Sequence, residues 1–92
     1  MNKTELIEAM ADELDFSIPQ AASVLNTILE TMTDSLVRGE PVEIRGFGSF
    51  VVKQYGSYEG RNPVTGEKIQ VEPKKRPIFR VSKDLRMKVN KE

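Results

Sequence analysis

An α+β fold, with helices first and antiparallel strands after them, is what the 92-residue sequence predicts. Two changes of pattern carry the expectation. Apolar residues recur at helical spacing as far as about residue 38, and from residue 42 they alternate instead. Gly39 separates the two regimes, and a polar turn, Gly60-Arg-Asn-Pro-Val-Thr-Gly66, divides the later strands into a hairpin.

Asn2 with Glu5 three residues on has the form of a helix cap, and Leu6, Ile7, Met10 and Leu14 then repeat at helical spacing up to about Asp15. Ser17 with Gln20 repeats the cap. Pro19 sits in the first turn, where its missing N–H costs nothing, and Gly39 supplies a left-handed stop, so a second helix is predicted over about 18–38. Its stripe of Ala21, Leu25, Ile28, Leu29, Met32 and Leu36, widened by Val24 and Val37, is more than the short first helix can cover. The same stripe on a second subunit is the expected cover.

Val42 and Ile44 then share one face and Glu43 and Arg45 the other, which predicts a short strand. Gly46-Phe47-Gly48 reads as a tight connection into residues 49–55, where Phe50 and Val52 oppose Val51, Lys53 and Tyr55. The chain passes the polar turn and returns through 67–72, with Ile69 and Val71 alternating against Lys68 and Gln70. Pro63 lies eight positions beyond Tyr55, a reach of roughly 26 Å at about 3.3 Å per residue. Pro-Lys-Lys-Arg-Pro at 73–77 predicts a basic kink, after which Ile78, Phe79 and Val81 resume strand character. Ser82 is placed to cap a last helix of about eight residues with Leu85 and Val89 as its contact line. The expected organisation is one domain, 1–92: a helical part at 1–39, a sheet at 40–81 with its arm at about 55–72, and a C-terminal helix at 82–92.

With no cysteine and no histidine, the chain lacks disulfides, thiolates, imidazole bases and the usual zinc ligands, so no enzyme, metal or cofactor is expected. Nor is a membrane span or a small-molecule substrate; a cytoplasmic location is the default expectation. The formal charge of zero conceals a division. Residues 1–40 hold 2 basic and 8 acidic side chains, and residues 41–92 hold 12 basic and 6 acidic ones, so the positive field belongs to the strands.

Within that basic part the Gly60–Gly66 turn points to double-stranded DNA. A proline ring is flat, apolar and fixed in φ, so Pro63 can wedge between stacked base pairs while Arg61 occupies the minor groove. By itself the heptapeptide also fits an ordinary hairpin turn. Lys3 and Lys83 each stand in the first turn of a helix, where free N–H groups and the helix dipole favour a phosphate; a solvated surface charge is the alternative for each.

The segments Met-Asn-Lys-Thr-Glu-Leu-Ile at the start, Gly-Phe-Gly-Ser-Phe at 46–50, Gly-Arg-Asn-Pro-Val-Thr-Gly at 60–66 and Phe79 before the last helix together resemble the bacterial HU and integration host factor family of histone-like DNA-bending proteins. The likeness covers essentially the whole chain, and residues 39–50 look most like the integration host factor beta subunit. It implies that fold: an intertwined dimer with a helical base, a β-saddle and two protruding hairpin arms. The dimer would be a homodimer or a heterodimer with a related alpha-type subunit. It further implies bending of duplex DNA for nucleoid organisation, recombination or transcription regulation, with Pro63 intercalating at the arm tip and Arg61 and Asn62 in the minor groove. Lys53, Lys68, Lys75, Arg76, Arg80 and Lys83 would neutralise phosphates, and Phe47, Phe50 and Phe79 would be core residues. In the beta-type subunit the matches of Glu43 and Arg45 hold an arginine against bases, which puts Arg45 in the minor groove here; an exposed ion pair is the alternative.

The stretch from Tyr55 to Glu59 departs from the family, whose arms carry more arginine and lysine there. A shallower salt dependence than that of a more basic relative is therefore expected. Tyr55 and Tyr58 are open to two readings, packing against sugars or shielding the ribbon. A different class of function, an assembly module with an exchanged hairpin arm, would call for apolar residues at the tip, whereas this tip presents Arg61, Asn62 and Pro63. An RNA-binding sheet would call for an aromatic pair on an exposed central strand.

Overall fold

The computed structural model describes residues 1–55, 58–61, 64–66, 68–71 and 74–91. The chain divides into two compact units, Met1–Ser35 and Leu36–Glu92.

Helix α1 spans Lys3–Leu14, and its predicted cap is present: the Asn2 carboxamide oxygen accepts the Glu5 N–H at 2.8 Å. It ends on Asp15 in the left-handed region, φ 54°, a conformation that short polar side chains tolerate. Helix α2 spans Ile18–Val37 and opens with a reciprocal cap, in which the Gln20 N–H donates to Ser17 Oγ at 3.2 Å and the Ser17 N–H donates to Gln20 Oε1 at 2.9 Å. Threonines inside α2 are poor helix formers, yet Thr27, Thr31 and Thr33 each donate their hydroxyl to the carbonyl four residues back. The helix stops where expected, with Gly39 at φ +79° and its N–H on the Leu36 carbonyl at 2.9 Å.

Burial in the first unit is confined to Ala11, Ala21 and Leu25. Further along the stripe of α2, Ile28 and Leu29 are still 46 % and 42 % exposed. A helix that leaves such residues half in water has forgone much of the roughly 1.5–3 kcal/mol that burying each would contribute.

Strand β1 (Val42–Ile44) turns at Arg45–Phe47 into β2 (Gly48–Tyr55), which pairs on its other side with β5 (Lys74–Val81), giving a three-stranded antiparallel sheet in the order β1-β2-β5. The turn needs Gly46 at φ +83°, and the Phe47 N–H closes it on the Ile44 carbonyl at 2.9 Å. A second ladder joins β3 (Tyr58–Arg61) to β4 (Lys68–Val71), with Arg61 opposite Lys68 and Gly66 at φ +74° between them. This is the predicted hairpin.

The kink expected at 73–77 is not found over its described part. Lys74 to Pro77 continue β5 without interruption, Pro77 opposite Val52. An edge strand accommodates a residue without an N–H, because half of its backbone groups face away from the sheet. The expected aromatic core is assembled but not sealed. The Phe79 ring lies 4.8 Å from Phe50 and 5.4 Å from Phe47 in tilted contacts, whereas Phe47 and Phe79 remain 44 % and 41 % exposed. Phe47 projects from a turn and Phe79 from an edge strand, so neither is enclosed within one chain.

Helix α3 (Lys83–Asn90) follows directly, capped by Ser82 Oγ on the Leu85 N–H at 3.1 Å. The Ser82 N–H donates to the Phe47 carbonyl at 2.9 Å, which ties the start of α3 to the β1–β2 turn.

Candidate nucleic-acid interface

Pairing register sorts the side chains of the three-stranded sheet, because residues opposite each other in a ladder share a face and neighbours along a strand do not. Ser49 is opposite Arg80, Val51 opposite Ile78, Lys53 opposite Arg76 and Tyr55 opposite Lys74. Glu43 of β1 is opposite Ser49 and joins the same face. The other face carries Val42, Ile44, Phe50, Val52, Pro77, Phe79 and Val81. One side of the sheet is thus mainly apolar, with Gln54 and Lys75 at one end, and the other carries a strip of four cations beside Val51, Ile78 and Tyr55, with Glu43 at its edge.

Two of those cations, Lys53 and Arg76, stand directly opposite each other, an arrangement that destabilises an antiparallel pair. Lys74 lies next along the same face, and all four basic side chains are in exposed residues. Among the described residues the ion pair is Arg38 with Glu40 at 3.4 Å, so no described carboxylate is paired with the strip. Mutual repulsion of this kind raises the local positive potential and is relieved when an external polyanion arrives.

The strip leads into a groove of about 440 Å³ lined by Glu43, Arg45, Ser49, Arg80 and Ser82. Local structure explains the convergence: the Gly46 turn carries Arg45 beyond the end of β1, and the Ser82–Phe47 hydrogen bond draws the α3 start alongside it. Glu43 and Arg45 therefore line one groove, as a shared face predicted, although Arg45 is a turn residue and no ion pair joins the two among the described residues. Lys83 stands in the first turn of α3, Lys3 opens α1 in the other unit, and both are exposed.

Of the predicted phosphate ligands, the sheet brings together Lys53, Arg76 and Arg80. It does not add Lys75, which is opposite Gln54 on the side of Phe50 and Phe79. Lys74 takes that place instead, because β5 runs through 74–77 without the expected kink and so keeps Lys74 in alternation with Arg76 and Arg80. Arg61 and Lys68 are ladder partners in the hairpin. Asn62 and Pro63, the proposed minor-groove residue and wedge, lie outside the described residues.

A charged sheet face beside a capped helix start is compatible with more than one anion, and comparison with known proteins narrows the field. Residues 1–90 match the family model described as bacterial DNA-binding protein. DNA-binding protein HU-1 of Halalkalibacterium halodurans is 41 % identical over 86 residues, 94 % of this chain and 96 % of that protein. DNA-binding protein HU of Staphylococcus aureus is 40 % identical over 86 residues, with the same coverage. The HU chain of an Anabaena HU–DNA cocrystal structure aligns over the full length of both chains with a TM-score of 0.83 and 38 % identity. HU from Thermotoga maritima aligns over 97 % of this chain and 98 % of that one, with a TM-score of 0.67 and 35 % identity. The chain, matched by the family model over residues 1–90 and about 40 % identical to these HU proteins along nearly all of its length, belongs to the HU and integration host factor family of bacterial DNA-binding proteins, structural proteins and not enzymes.

Proposed function

We propose that this protein binds duplex DNA along the cationic face of its sheet and bends it, acting as an architectural component of the bacterial nucleoid in the cytoplasm. The observation that carries the reading is the strip of Lys53, Lys74, Arg76 and Arg80 on one face of one sheet, none of them in an ion pair among the described residues. Each phosphate it neutralises releases condensed counterions, a gain that does not depend on base sequence. Lys3, Lys68 and Lys83 have the same proposed role, and Lys75 is left out of the set by its face.

The working form is a dimer. The half-exposed Ile28 and Leu29 on α2 and the unsealed Phe47 and Phe79 support this, since a second chain, identical or of the related alpha type, removes that surface from water. At the arm tip Pro63 intercalates, with Arg61 and Asn62 in the minor groove. Unstacking a base step costs on the order of a few kcal/mol, offset because the bent duplex reaches more of the protein's cations. Arg45, with Glu43 across the same groove, enters the minor groove and confers a modest base preference.

Affinity for straight, nicked and pre-bent duplexes of one sequence tests the bending directly. Wild type favours the nicked and pre-bent forms. In Pro63→Ala that preference shrinks roughly ten- to hundredfold, the equivalent of a few kcal/mol no longer recovered at the kink. Equal affinity of the wild type for all three duplexes would contradict bending.

A further inference from the structure

We infer that Tyr55 is a DNA-contacting residue that lays its ring against a deoxyribose of the duplex backbone; this rests on the DNA-binding reading above. Three observations converge on it. Tyr55 is opposite Lys74 at the end of β2 and two residues from Lys53, so it occupies the cationic face and not the apolar one. The contacts between rings among the described residues join Phe47, Phe50 and Phe79, and all of them lie away from Tyr55. Its described neighbours on that face, Lys53, Lys74 and Arg76, are cations, and 49 % of its surface is open to water. A side chain with an apolar body and a polar rim suits a surface that is wet when free and dry when bound. Between phosphates held by Lys53 and Lys74, the part of a nucleotide presented to such a ring is the sugar, whose C–H edges pack on an aromatic face.

A neutral ring releases no counterions, so its contribution differs in kind from that of the lysines around it. The test measures affinity of the full-length protein for a duplex across a salt series. Tyr55→Ala is expected to weaken binding about three- to tenfold at every salt concentration with the slope of log affinity on log salt unchanged, while Tyr55→Phe stays close to wild type. The chain has two tyrosines and no tryptophan, so in a Tyr58→Phe background the intrinsic fluorescence belongs to Tyr55 and is expected to be quenched on DNA binding. That readout needs no substitution at position 55 and holds even if Tyr55→Ala impairs folding.

Each contrary result has its own meaning. Wild-type affinity in Tyr55→Ala, or fluorescence insensitive to saturating DNA, would overturn the inference while leaving DNA binding intact. So would a shallower salt slope in Tyr55→Ala, which would mean that the ring only positions neighbouring cations. A loss in Tyr55→Phe as large as in Tyr55→Ala would assign the contact to the hydroxyl and not to the ring. Failure of the wild type to bind any duplex at low salt would instead overturn the underlying function.

Discussion

Alanine at Gly48 is expected to cost about 3 kcal/mol, the upper end for overpacking, and to lower Tm by roughly 12–24 °C in a domain of this size. Gly48 is buried at the start of β2, and a methyl group there would stand 2.5 Å from the Arg80 carbonyl oxygen and 2.6 Å from two carbons of the Phe79 ring. Neither neighbour yields easily. The carbonyl belongs to the β2–β5 ladder, and the ring is wedged against Phe47 and Phe50. Moving either spreads the strand pair that carries Ser49 and Arg80, so the fold and the groove suffer together. Gly39→Ala supplies the contrast. Gly39 has φ +79° with open space around it, so the substitution costs only backbone strain, about 1–2 kcal/mol. Thermal melts of both variants decide the matter; a Gly48→Ala melt no lower than that of Gly39→Ala would show that the approach of Phe79 to the backbone is not a constraint.

Lys53→Glu is expected to move stability and binding in opposite directions. A glutamate there faces Arg76 across the ladder and replaces a repulsive pair by an attractive one, worth roughly 0.2–1 kcal/mol to the sheet. The same change sets a carboxylate against a DNA phosphate, and like charges so placed cost several kcal/mol, so affinity at physiological salt falls on the order of a hundredfold or more. Lys53→Gln, which removes the charge without reversing it, lies between. A melt and a binding isotherm on the same samples provide the check. Parallel losses of stability and affinity would assign Lys53 a structural role.

Much of this was legible in the sequence because local physics fixes it. The caps at Asn2, Ser17 and Ser82 and the stop at Gly39 are decided within four residues of chain, and all four are present. Alternation along residues 49–55 gave the correct faces for Phe50, Val52, Lys53 and Tyr55. What failed was tertiary in origin. Proline and clustered charge at 73–77 suggested a kink, but the prolines' cost depends on whether the strand is at an edge, which the chain order alone does not reveal. With the strand uninterrupted over 74–77, Lys74 and not Lys75 shares a face with Arg76 and Arg80. The half-exposure of Phe47 and Phe79 was equally hidden, since residue type indicates an apolar ring and says nothing of how much of the core one chain can enclose.

Lys75 and Arg76 offer the most direct test of the central claim, being adjacent, both cationic, and on opposite faces of β5. Salt-dependent affinity for a single duplex is measured for Lys75→Ala and Arg76→Ala beside wild type. If one phosphate meets Arg76 in each chain of the dimer, the slope of log affinity on log salt becomes shallower by about 1.8 in Arg76→Ala and is unchanged in Lys75→Ala. Equal changes in the two variants, or a larger one in Lys75→Ala, would contradict a DNA-binding surface confined to one face of the sheet.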